Sequence, residues 1–152
     1  MLLTNTTPEL RHCWHVVATT DELGDEPLGV LLLGEPWVVV RLDGIVRAFV
    51  DRCPHRLAPM SAGTVVAGEH GAELQCGYHG WRFDGDARCT AIPALSPDDH
   101  IPGRARLVPA FGVAERYGLM PALDRWVISR ALQTLSQQSS HSQLVDTCAI
   151  NL

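Results

Sequence analysis

Short apolar runs broken by glycine and proline dominate the first 118 residues. Residues 15–18 read as a strand after Trp14, and residues 30–33 and 37–42 as β-rich runs separated by Gly34, Glu35 and Pro36. Asp43-Gly44 then joins residues 37–42 to residues 45–50, because both central positions of a tight hairpin turn favour residues that tolerate positive φ. A second Asp-Gly pair, Asp84-Gly85, turns residues 81–83 back toward residues 87–91, and residues 107–108 and 113–119 read as closing strands. Strands this short, with turn residues between them, predict an all-β unit of small antiparallel sheets over residues 1–119.

Past Gly118 the pattern changes. All 13 glycines lie at or before that position, whereas five of the seven serines and four of the five glutamines lie after it. Residues 124–135 fit a short helix with Asp124 as N-cap and Ile128, Leu132 and Leu135 on one face. Residues 136–143 form a polar run too poor in apolar groups to offset the entropy of ordering. Residues 120–152 are therefore expected to be an atypical tail, helical and then unstructured.

Composition adds constraints. The 152 residues are 46% apolar and 19% charged, as in an ordinary globular domain, and the net charge of −5 disfavours binding to nucleic acid or an anionic membrane. All 12 basic residues are arginine, without clustering. No stretch reads as a signal peptide or a membrane span, so a cytoplasmic location is the default expectation. Five cysteines, two of them spaced with histidines, argue against a disulfide framework.

Those two cysteines carry the chemistry. Cys53 and His55 stand two positions apart, and Cys76 and His79 three apart, in segments where Pro54, Gly77 and Gly80 constrain or free the backbone for tight loops. Thiolates suit one iron of a cluster and neutral imidazoles a second. The same four donors also fit a structural Cys2His2 zinc site.

The runs Cys53-Pro-His55-Arg-Leu-Ala-Pro59 and Cys76-Gly-Tyr-His79-Gly-Trp-Arg-Phe83 resemble the Rieske domain of aromatic-ring-hydroxylating oxygenases, nearest the branch that includes vanillate O-demethylase oxygenase. The likeness extends from about Leu10 to Leu119, taking in Arg11-His-Cys-Trp14 and Arg88-Cys-Thr-Ala-Ile-Pro93. It implies a [2Fe–2S] cluster held by Cys53, His55, Cys76 and His79. Cytochrome-complex Rieske proteins carry an extra Cys in each loop; Ala58 and Tyr78 stand there instead, so that disulfide cannot form. Trp81 replaces the serine that donates to the cluster in those proteins, which implies the low end of the Rieske range of potentials. Twenty residues separate His55 from Cys76, a few more than the family has, and the extra length is assigned to a longer surface turn near residues 67–73.

In that family a reductase dependent on NAD(P)H, or a ferredoxin, supplies electrons that pass through the cluster to a mononuclear Fe(II). There an aromatic substrate is hydroxylated or O-demethylated. That iron needs two histidines and a carboxylate, but beyond His79 only His100 and His141 occur, 41 positions apart. The expectation is thus the electron-transfer part of an oxygenase, truncated or frame-shifted ahead of its catalytic domain. The alternative is a free-standing, ferredoxin-like carrier, and an oxygenase partner or a homo-oligomer fits either. Cys13 and Cys89 are expected to be packed thiols and Cys148 an exposed one. His12, His15, His70 and His100 are expected in solvated or core-edge positions. Trp81 is expected to shield the cluster or belong to the core, and Arg56 and Arg82 are candidates to meet acidic groups of a partner.

Overall fold

The computed structural model describes residues 10–11, 13–96, 98–115 and 147–151. Among the described residues, ten strands follow in chain order: β1 (Trp14–Thr19), β2 (Leu28–Leu32), β3 (Glu35–Leu42), β4 (Ile45–Val50), β5 (Thr64–Gly68), β6 (Gly71–Gln75), β7 (Arg82–Phe83), β8 (Cys89–Ala91), β9 (Gly112–Glu115) and β10 (Thr147–Asn151). A 3-10 turn, Met60–Ala62, precedes β5. All pairings are antiparallel, in three sheets ordered β1-β10-β9, β2-β3-β4 and β5-β6-β7-β8.

β3 is the spine of the molecule. Its residues alternate between two cores: Val38, Val40 and Leu42 pack with Phe49, Met60, Leu74 and Phe83, while Trp37 and Val39 pack with Leu23, Leu32, Val46 and Ala48. Val38, Val39 and Val40 are all 0% exposed, which explains a continuous apolar run where a half-buried strand would alternate. The β3–β4 turn at Asp43-Gly44 has φ of 52° and 76°, the positive pair that the sequence demands there. The Asp43 carboxylate also accepts the Ala72 N–H at 2.9 Å, tying this hairpin tip to β6. Arg41 of β3 makes a two-pronged ion pair with Glu115 of β9, at 2.6 and 3.0 Å, joining two of the sheets.

The structure revises several expectations. The turn between β2 and β3 is Leu33-Gly34, both at positive φ (51° and 83°), so Glu35 and Pro36 belong to β3 and do not separate the strands. Residues 67–73 are not a longer surface turn: they belong to the β5–β6 hairpin, whose strands close at Gly68 opposite Gly71. Gly68 admits the Glu73 side chain, which lies where a Cβ would sit, and Gly71 takes φ of 139°. Residues 107–108 form no strand, although Leu107 N–H donates to Ala87 O and Val50 N–H to Val108 O, at 2.9 and 2.8 Å. The last strand of the first 119 residues is Gly112–Glu115; residues 116–119 and the expected helix at 124–135 lie outside the described residues, as does the polar run at 136–143. β10, from a region where no strand was expected, lies between β1 and β9, so its sheet draws on residues on both sides of position 119.

Candidate metal centre

Both ligand loops leave buried strands at the same end of the molecule. β4 runs into Cys53 through Asp51 and Arg52, and β6 runs directly into Cys76. The two loops share one hydrogen-bond frame. Cys53 N–H donates to Ala58 O, and Leu57 N–H back to Cys53 O; Cys76 N–H donates to Trp81 O, and Gly80 N–H back to Cys76 O, all at 2.8–3.0 Å. In each frame the fifth residue is left-handed, Leu57 at φ 59° and Gly80 at φ 71°. Glycine takes that conformation at little cost, whereas leucine does so against steric resistance.

The segments around the loops pack backbone on backbone. A Cβ on Gly63 would fall 2.1 Å from Gln75 O, and one on Gly77 would fall 2.5 Å from Ala62 O. Asp51, only 8% exposed, accepts the Ser61 N–H at 2.7 Å and the Ser61 hydroxyl at 2.6 Å, and so clamps the two ends of the first loop together.

Within this frame the four candidate ligands separate into two pairs. Cys53 and Cys76 are each 2% exposed, members of the main core cluster and in contact through their thiols. His55 and His79 are exposed, with ring centroids 4.7 Å apart in an edge-on arrangement. Among the described residues, no three His, Cys, Asp or Glu side chains gather about a single point as one metal ion requires. A buried thiol pair and an exposed imidazole pair carried on the same two loops are a donor set that suits two adjacent metal atoms.

The electrostatics agree with that fit. Burial pushes the Cys53 thiol up to about 11, with the neighbouring Cys76 thiol adding to the rise against hydrogen bonds from the His55 and Arg56 backbone. A thiolate pair at this depth therefore needs a positive partner, which a metal provides on displacing the protons. His55 is shifted below its ordinary value of 6.5, first by partial desolvation and then by His79 and Arg56. The neutral ring is thereby favoured, and the neutral ring is the form that binds metal.

The remaining candidates lie elsewhere. Cys13 is exposed, contrary to the packed position expected of it, because it precedes the first strand and not a core position. Cys89 is half-buried in β8, its thiol 3.6 Å from Ala91 O and raised to about 11 by burial. Cys148 lies in β10, among residues whose side chains are not described, and His12 is outside the described residues. The His15 ring sits 2.7 Å from Leu10 O; His70 and His100 are exposed. Arg56 is exposed, but Arg82 is engaged, its Nε donating to Gln75 Oε1 at 3.0 Å. Trp81 serves both expected ends, packing against the core and stacking on His55. Sequence reasoning missed Asp51, Ser61 and Leu57; an acid two positions ahead of a ligand cysteine was the only available hint.

Small antiparallel sheets presenting two cysteine–histidine loops at one end define a metal-binding class of domain. Residues 13–114 match the profile of the Rieske [2Fe-2S] domain, and the chain belongs to that family. Methylxanthine N3-demethylase NdmB of Pseudomonas putida is 44% identical over 104 residues, 64% of this chain and 29% of the relative. Its solved structure superposes with a TM-score of 0.73 at 32% identity, covering 96% of this chain and 36% of that one. Vanillate O-demethylase oxygenase subunit of a Pseudomonas species is 36% identical over 111 residues, 72% of this chain and 29% of the relative. Chloroacetanilide N-alkylformylase oxygenase component of Rhizorhabdus wittichii is 36% identical over 126 residues, 82% of this chain and 33% of the relative. A match of that length cannot be held within the first 119 residues, so the resemblance continues past the point where sequence reading ended it. The chain spans about a third of the length of the curated relatives it matches. Among the described residues, no helix is long and apolar enough to cross a membrane.

Proposed function

We propose that Cys53 and Cys76 hold the inner iron of a [2Fe–2S] cluster, that His55 and His79 hold the outer iron, and that the chain carries single electrons for an oxygenase. The donor would be an NAD(P)H-dependent reductase or a ferredoxin. The acceptor would be a mononuclear iron that hydroxylates or demethylates an aromatic substrate. One observation carries this reading: two loops of one backbone design bury a cysteine each in the same core cluster and present their histidines as an exposed, edge-on pair. A single zinc ion would need all four donors about one centre.

Bound there, the cluster supplies one-electron chemistry in a range of roughly −150 to +300 mV. The protein's own part is to bury the negative thiolates in the core and keep the imidazole end at the surface, where a partner can approach. The backbone frame of each loop, closed at Cys53 and at Cys76, holds the ligand geometry fixed through a change of charge.

Reconstitution with iron and sulfide followed by electron paramagnetic resonance of the reduced protein tests the site. Two irons per chain and a reduced-state signal with an average g value below 2 are expected; a colourless, silent protein retaining zinc would overturn the assignment. Turnover by a separately supplied oxygenase on addition of the loaded chain would identify it as a free-standing carrier. Reduction without such turnover is the result expected of an oxygenase's own electron-transfer domain.

A further inference from the structure

The indole of Trp81 lies flat against the imidazole of His55, with ring centroids 4.7 Å apart and planes only 3° from parallel. The two residues come from different loops, so this contact links the loops where their side chains reach the surface. Trp81 is the anchored member. Its carbonyl accepts the Cys76 N–H at 2.8 Å, β7 begins at the next residue, and its side chain packs against the main core cluster.

His55 has no comparable anchor. It is exposed, two positions beyond its cysteine, and among the described residues its ring makes no hydrogen bond. Such a side chain keeps the freedom of both its torsions unless something restrains them. A metal-binding histidine is ordinarily oriented by a hydrogen bond from its other ring nitrogen. Here a flat aromatic surface does that work: it lets the imidazole slide in its own plane but resists tilting out of it. The two candidate imidazoles are therefore held differently. His79 meets His55 edge-on at 64° and leans on Tyr78, its exposed neighbour in sequence, at 3.9 Å and 52°.

We propose that Trp81 is a positioning residue for His55, fixing the plane of that imidazole for the outer iron; this rests on the ligand assignment above. A side chain that only filled the core would be replaced equally well by any apolar group of similar bulk. One that positions through its ring face requires an aromatic replacement.

The test compares wild type with Trp81→Phe and Trp81→Leu. In the iron-free protein, the His55 ring protons should be shifted upfield by the indole ring current. The shift should persist in reduced form in Trp81→Phe and vanish in Trp81→Leu. After reconstitution, Trp81→Leu should lose iron to a chelator at least about tenfold faster than wild type and broaden the spread of g values. Trp81→Phe should stay near wild type in both. If circular dichroism shows Trp81→Leu to be unfolded, Trp81→Met takes its place, having similar flexibility to fill space and no ring face. Equal iron loss and equal spectra for the aromatic and aliphatic variants would overturn the proposal. So would a His55 shift that survives without the indole. A wild type that binds no iron but shows the upfield shift would overturn the ligand assignment, and the positioning role with it, while leaving the stack itself established.

Discussion

Asp51 and Ser61 are joined by two hydrogen bonds across the mouth of the first ligand loop, one from the backbone N–H and one from the hydroxyl of Ser61. Both ends of that loop are thereby fixed by a side chain that is not itself a candidate ligand. Replacing Asp51 by Ala leaves a buried N–H without its partner and should cost about 1–3 kcal/mol, read by chemical denaturation of the iron-free protein. Asp51→Asn keeps an acceptor and should cost less; equal losses for both variants would show that the charge and not the geometry matters.

The close packing beneath the loops gives a sharper steric prediction. Gly63→Ala and Gly77→Ala would each drive a methyl group into a backbone carbonyl, at 2.1 and 2.5 Å. Each should destabilise the fold by about 1–3 kcal/mol and hinder cluster assembly. Gly24, with nothing within 4 Å of its missing Cβ, is the control, and Gly24→Ala should stay within about 0.5 kcal/mol of wild type.

The Arg41–Glu115 pair predicts a dependence on pH. Its two hydrogen bonds from the guanidinium hold the Glu115 carboxyl below its ordinary value of 4.5, against the opposing effect of burial. A carboxyl whose folded value is lowered stabilises the fold above its unfolded value, and that contribution is lost as pH falls through the folded value. Glu115→Gln should therefore cost about 0.5–1 kcal/mol at neutral pH. The gap between variant and wild type should close as denaturation is repeated from about pH 5 down to about pH 3. A gap that stays constant would mean the pair contributes packing alone.

Exchanging a neutral imidazole for an anionic thiolate should lower the potential. His55→Cys, reconstituted and titrated, should move the midpoint down by more than about 100 mV, toward the −400 mV or so of all-cysteine plant-type clusters. An unchanged midpoint would mean that residue 55 does not contact the cluster.

Much of this architecture was legible in the residues. Asp43-Gly44 demanded a tight hairpin, and the run from Trp37 to Leu42 read as a strand leading into it; both are present. The four cysteine and histidine positions stand out as candidates because their spacing is chemical and local. What escaped reading depends on partners distant in sequence. Residues 67–73 read as a surface turn until β6 is seen to pair with β5, residue against residue. Leu57 carries no mark of its positive φ, since the frame that imposes it is closed by Cys53 and Ala58. β10 has only five residues and a polar approach, and its place is set by β1 and β9. The face-to-face contact of His55 with Trp81 spans two loops and leaves no periodic trace.

The shared frame of the two ligand loops has a consequence for how such a site can change. In both, the cysteine opens the frame and a left-handed residue four positions on closes it, yet the histidine occupies the third place in one and the fourth in the other. The scaffold thus dictates where a donor may stand without dictating which interior place holds it. The closing bonds run between backbone atoms alone, so swapping donors between neighbouring places, or between imidazole and thiolate, should leave them in place. On the proposed ligand assignment, single substitutions could then change the donors while the backbone frame beneath them stays closed.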